Sequence, residues 1–245
     1  MNKKSRGIDI LRELSRRDIL KGGAAASIGM ASGAFGVPKE STRDFIREEN
    51  SKKGTRYWRL SNTKTIPGKI NKILDNGRSK AIEGYCNANS LRAGEKLKIM
   101  VSANPASAFK LEIFRTGYYA GTGARLMKSF DSLKAGTQPE PSIGENYVRE
   151  CQWEPTVELE IPQTWPSGVY LGKMTAERSG IQSYVIFIVR DDRPCDFLFQ
   201  CSDLTWSAYN RWPADYSIYT PHDKGHSTTG VPGGTVSFDR PDGLF

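Results

Sequence analysis

Between residues 168 and 189 apolar side chains recur on alternate positions. Val169 and Leu171 begin the series, Tyr184, Ile186 and Ile188 continue it, and Val185, Phe187 and Val189 fill the opposite face. A period of two is the spacing of a β-strand whose two faces meet different surroundings. The same grammar predicts strands over 81–87, 96–103, 109–116, 125–130, 148–153, 156–161, 168–176 and 183–189. Turn signals separate them at Ala93-Gly94, Asn104-Pro105, Gly121 to Gly123, Glu154-Pro155 and Ser179-Gly180. Seven or eight short strands at this spacing predict a mostly β chain, with an immunoglobulin-like or fibronectin-like β-sandwich over residues 80–192.

The pattern then changes. Asp191, Asp192, Arg193 and Pro194 interrupt it, and Cys195 to Cys201 (CDFLFQC) reads as a short buried strand. Asp203 is an N-cap for a helix running to about Trp212, with Trp206, Tyr209 and Trp212 along one face as core. A strand feeding a helix is the first half of a βαβ unit. Residues 194–245 therefore read as the incomplete N-terminal part of an α/β domain. On the other side of the sandwich, residues 37–79 are charged and turn-rich and read as a linker, with one short helix over 41–50.

Charge sharpens the reading of the first residues. The net charge of +8 is concentrated at the start: residues 1–60 hold 14 Lys and Arg against 7 Asp and Glu, the remainder 21 against 20. A basic nucleic-acid face is thereby excluded as an explanation. No window reaches the roughly 18 apolar residues of a membrane-spanning helix. Ser15, Arg16, Arg17, Asp18, Ile19, Leu20 and Lys21 precede a weakly apolar run rich in Ala and Gly, ending near Val37. That arrangement resembles a twin-arginine export signal over residues 1–36, with Ile19 where Phe is usual. It implies the twin-arginine translocase as a partner, a folded cargo, and a periplasmic or secreted destination.

Candidate chemistry is sparse. His222 and His226 lie in a Gly- and Pro-rich stretch and read as loop residues. Gly117 to Gly123 is followed by a strand rather than the helix a phosphate cradle needs. Cys195 and Cys201, on one extended strand, are too far apart to bridge. Cys86 and Cys151, on different strands, could meet, though buried free thiols are the ordinary state of such residues.

Four separated strings carry a resemblance: Leu111 to Met127, Ser167 to Thr175, Gln182 to Asp192 and Leu198 to Asn210. In this order they resemble the large subunit of N,N-dimethylformamidase and its relatives, over residues 80–245. The resemblance implies a sandwich followed by an α/β domain related to class I glutamine amidotransferases. It also implies hydrolysis of small amides at an Fe(III) site made by two tyrosines and a glutamate, with a small subunit or a second copy as partner. Phenolate and carboxylate are hard donors suited to ferric iron. Carried onto this sequence, the ligands are Tyr209 and, where relatives have tyrosine after the Arg-Pro pair, Asp242; the glutamate would lie beyond Phe245. This chain by itself is accordingly expected to be inactive. The competing class is a non-catalytic secreted sandwich that binds a glycan or a protein through Tyr118, Tyr119 and Trp153.

Overall fold

The alternation becomes two sheets packed face to face in a computed structural model that describes residues 41–63, 78–195, 197–213, 217–219 and 235–242. The smaller sheet contains β1 (Glu83–Cys86), β3 (Lys96–Ser102) and β6 (Pro155–Glu160), all antiparallel with β3 central. The larger runs in the order β2, β8, β7, β4, β5, where β2 is Ser90–Arg92, β4 Ser107–Thr116, β5 Ala124–Ala135, β7 Gly168–Ala176 and β8 Gln182–Arg190. Among the described strands only β2 pairs in parallel, with β8. Three residues are too few to show a period, which is why the sequence pattern omits that strand.

Period two explains the core. Leu97, Ile99 and Val101 of β3 face Leu111 and Ile113 of β4, Met174 of β7, and Val185, Phe187 and Val189 of β8. Trp165 stacks on Tyr170 at 5.0 Å between ring centroids, and Tyr170 on Phe187 at 5.3 Å. Such offset aromatic pairs add to plain burial. The Gly117–Gly123 stretch is the hairpin between β4 and β5, closed by the Gly117 amide donating to the Gly123 carbonyl at 3.0 Å. Gly121 and Gly123 take φ of +80° and +92°, where a side chain would be strained.

The smaller sheet has a second, outward-facing core. Tyr85 and Met100 point away from the sandwich and are covered by Cys151, Trp153 and Trp212. Residues 148–153, expected as a strand, are irregular, and a single helical turn at Glu145–Tyr147 precedes them. Their alternation is real, but it buries Cys151 and Trp153 against the face of the sheet instead of extending its edge. The Cys151 amide accordingly donates outside any ladder, to the Asp239 carbonyl at 2.6 Å. Cys86 points into the sandwich while Cys151 lies on the opposite face, so these two thiols stay free and buried.

The charged segment before the sandwich is packed onto it. α1 (Ser41–Ser51) is the helix expected there. Its Glu49, 2% exposed, accepts hydrogen bonds from the Tyr119 hydroxyl at 2.9 Å, Arg125 Nε at 2.6 Å and Lys52 Nζ at 2.7 Å. Farther along, the Thr55 amide donates to the Ala124 carbonyl at 2.8 Å, and the Trp58 indole to the Thr122 carbonyl at 3.0 Å. The Tyr184 hydroxyl donates to the Trp58 carbonyl. Gly54 passes so close to the hairpin that a Cβ there would lie 2.5 Å from that of Tyr119. Residues 41–63 thus form a strap along one side of the larger sheet.

After β8 the expected buried strand is absent. Phe197, Leu198 and Phe199 are in coil and 91%, 89% and 83% exposed. No described strand runs beside them, so their backbone has no ladder to join. The following helix, α2, is Asp203–Tyr209, shorter than expected. It starts one residue after Ser202, which occupies the N-cap position assigned to Asp203. It ends before Trp212 because the residue preceding Pro213 disfavours helical geometry. Trp206 and Tyr209, expected in the core, are 40% and 54% exposed, whereas Trp212 is fully buried against the smaller sheet.

Candidate functional site

The outward side chains of β8 are Tyr184, Ile186 and Ile188, since their neighbours Val185, Phe187 and Val189 are committed to the sandwich core. α2 and residues 235–242 lie over this face. Arg240, 3% exposed, joins the two covering pieces: Nη2 donates to the Ser207 and Asn210 carbonyls at 3.0 Å each, Nη1 to the Trp212 carbonyl at 2.9 Å, and Nε to the Ser237 carbonyl at 3.1 Å. These acceptors include carbonyls left open at the C-terminal end of a helix, where a cation is also favoured by the helix dipole. Asn210 adds a bond from Nδ2 to the Pro241 carbonyl at 2.9 Å, and its Oδ1 accepts from the Trp212 amide at 3.0 Å.

Between the clamp and the sheet edge lies a cavity of about 480 Å³. Its floor is Ile186, Ile188 and the β1 edge at Tyr85 and Cys86; its wall carries Asp203, Trp206, Phe238 and Asp242. Asp242 keeps an opening to solvent. Even so, the protein packed around its carboxyl displaces water and pushes it above the ordinary aspartate range, and the nearby Arg240 guanidinium partly opposes this. Burial pushes the Cys86 thiol up as well, with Asp242 adding to the effect. A thiol so held is protonated at neutral pH and is no nucleophile. Burial conversely lowers Arg240 to about 10, and it remains a cation. The arrangement can therefore hold a small organic ligand, and the Ser237 hydroxyl in its lining donates to the Glu150 carboxylate at 3.0 Å.

The cavity residues from β8 to Asp242, though not Tyr85 and Cys86 of the floor, fall inside residues 110–244, which match the family described as N,N-dimethylformamidase beta subunit-like, C-terminal. The match covers more than half of the chain. The chain belongs to the N,N-dimethylformamidase beta subunit-like family. No curated protein matches it.

In this dimethylformamidase beta subunit-like chain the two ligand positions read from the sequence are treated differently. Asp242 lines the cavity. Tyr209 does not; its ring lies against Tyr219 at 4.7 Å between centroids, on the exposed side of α2. Ferric iron needs anionic donors converging on one point. The described residues do not supply that set: Asp242 shares its wall with a guanidinium, Tyr209 faces elsewhere, and no three described His, Cys, Asp or Glu cluster. They support no step through iron. Arg16, Arg17, His222 and His226 lie outside the described residues.

The cavity residues Asp203 and Arg240 are not distinguished by spacing. Arg240 could have been flagged only as the arginine of the Arg-Pro pair before Asp242, and there the resemblance points to Asp242 instead. The glycan-contact aromatics are largely withdrawn from solvent: Tyr119 is 0% exposed with its hydroxyl on Glu49, and Trp153 is 5% exposed with its indole donating to the Pro139 carbonyl at 2.7 Å. Tyr118 alone remains accessible, and one ring is no stacking platform.

Proposed function

We propose that this chain is an exported component of an amide hydrolase acting on small amides, in which the sandwich continues into α2 and the segment held by Arg240. The observation supporting this reading is the span of the family match, which runs without a break from β4 through the last sandwich strand into α2 and the Arg240 clamp. A free-standing binding sandwich would have no use for that continuation. As a beta-subunit-like protein it acts within an assembly, with a small subunit or a second copy as its partner. A ferric centre in this assembly would need donors in addition to the described residues.

Two outcomes are expected. Loaded with ferric iron, the purified 245-residue chain should show no phenolate-to-iron charge-transfer band and release no amine from dimethylformamide above buffer. A strong visible band accompanied by turnover would overturn the assignment of the donors. Separately, export is carried by the Arg16-Arg17 pair, so replacing both with Lys should leave the protein in the cytoplasm. Lys keeps the charge, and undiminished accumulation outside the cytoplasm would show that the leader acts through charge alone.

A further inference from the structure

We propose that the cavity between β8 and α2 binds an organic ammonium ion carrying an aryl or branched alkyl group. The inference stands on the cavity alone and is independent of the amide-hydrolysing role.

Charge decides the ligand class. Asp203 and Asp242 both line the cavity, and among the described residues no side chain donates a hydrogen bond to the Asp242 carboxylate. The cation in the same wall, Arg240, offsets one of these two charges, and its Nε, Nη1 and Nη2 donate to backbone carbonyls and hold the cover in place. An anionic ligand would thus meet two carboxylates and a guanidinium whose donors are already directed elsewhere. A neutral ligand could at most donate a hydrogen bond to the carboxylates, without the charge interaction. A cation meets both of them, with the rings of Trp206 and Phe238 beside them. Aromatic faces attract cations through their quadrupole, most strongly for Trp and for weakly hydrated alkylated ammonium groups.

Shape decides the rest. Ile186 and Ile188 make an apolar floor, so the charged group must bring hydrocarbon with it. At about 480 Å³ the space matches the usual range for organic ligands and exceeds what a bare ammonium or a methylated one would fill. Trp206 is 40% exposed at the rim, which provides an entry that requires no unfolding of the cover.

The test uses the 245-residue chain and three probes of one scaffold: benzyltrimethylammonium, benzyl alcohol and benzoate. Binding is followed by calorimetry and by indole fluorescence. The cation is expected to bind about tenfold or more tighter than the alcohol, and benzoate weakest. Asp242→Asn combined with Asp203→Asn should remove about tenfold of the cation's affinity while leaving the alcohol unchanged. Should that double variant fail to fold, Trp206→Leu, at an accessible position, should lower cation affinity about fivefold or more with an unchanged melting temperature. Equal binding of cation and alcohol by the unmodified chain, or undiminished cation binding in the folded double variant, would overturn the proposal. Neither result bears on amine release from an amide, which reads the hydrolase role.

Discussion

Replacing Glu83 with Ala is expected to cost about 3–5 kcal/mol of stability. Glu83 is on the outward face of β1 and 3% exposed. Arg78 grips it with two donors, Nη2 to Oε1 and Nε to Oε2 at 3.2 Å, and the Trp212 indole donates to Oε2 at 2.8 Å. The Arg78 guanidinium also lies over the Trp212 ring at 4.9 Å. Deleting the carboxylate strands a buried indole N–H and leaves the buried guanidinium only its bond to the half-exposed Glu140, at 2.5 Å to Oε2. Removing one partner of a buried pair costs far more than the pair contributes, because the remaining charge keeps its desolvation penalty. Urea unfolding of Glu83→Ala checks the size. Replacing both ion-pair partners with apolar residues, Arg78→Met with Glu83→Leu, should recover a large part of the loss. A decrease under about 1 kcal/mol in the single variant would mean that Trp212 is held by packing alone.

Glu49→Ala is expected to release the strap, at a cost of about 3 kcal/mol to its docking. The effect should be local: faster tryptic cleavage after Lys52 and Lys53, and faster amide exchange over 41–58, with the sandwich core protected. The same carboxylate makes docking sensitive to acid. Burial by itself would raise its pKa, but the hydrogen bonds from Arg125, Lys52 and Tyr119 outweigh burial and leave it below the ordinary glutamate range. A folded-state value lower than the unfolded one adds stability that is complete above the unfolded value and disappears as pH falls through the folded one. Strap release should therefore begin below about pH 4 in the unmodified protein, and Glu49→Gln should lack that acid step. An identical acid profile for the two proteins would assign the step to another carboxylate.

These two networks are invisible in the linear pattern for the same reason. Glu49 lies in a run of charges, STRDFIREENSKKGTR, whose composition describes a solvated connector. Its burial depends on Tyr119 and Arg125, 70 and 76 residues away, taking up positions beside it. Glu83 likewise looks like a solvent-side residue of an edge strand. It becomes interior only because Trp212, placed in a helix by its spacing from Trp206 and Tyr209, leaves that helix and docks on the sheet. Periodicity reports which residues are apolar and how often they recur. It does not report which polar residue a distant segment will cover.

The sequence by itself determined the strands that alternate clearly, β3, β4, β6, β7 and β8, because each commits one face to the sandwich core and a period of two leaves only one register that does so. It also determined the family, through strings whose order survives without any knowledge of contacts. Tertiary structure decided what has no local signature. The alternation of 148–153 became a cover instead of a strand, and the apolar run 197–199 became exposed coil, since a strand exists only where a neighbour accepts its hydrogen bonds. The site followed the same rule. Tyr209 and Asp242 share a chemistry in the sequence, but the packing of α2 sends one to the surface and the Arg240 clamp sends the other into the cavity, because direction is a property of the packed chain and not of the residue type.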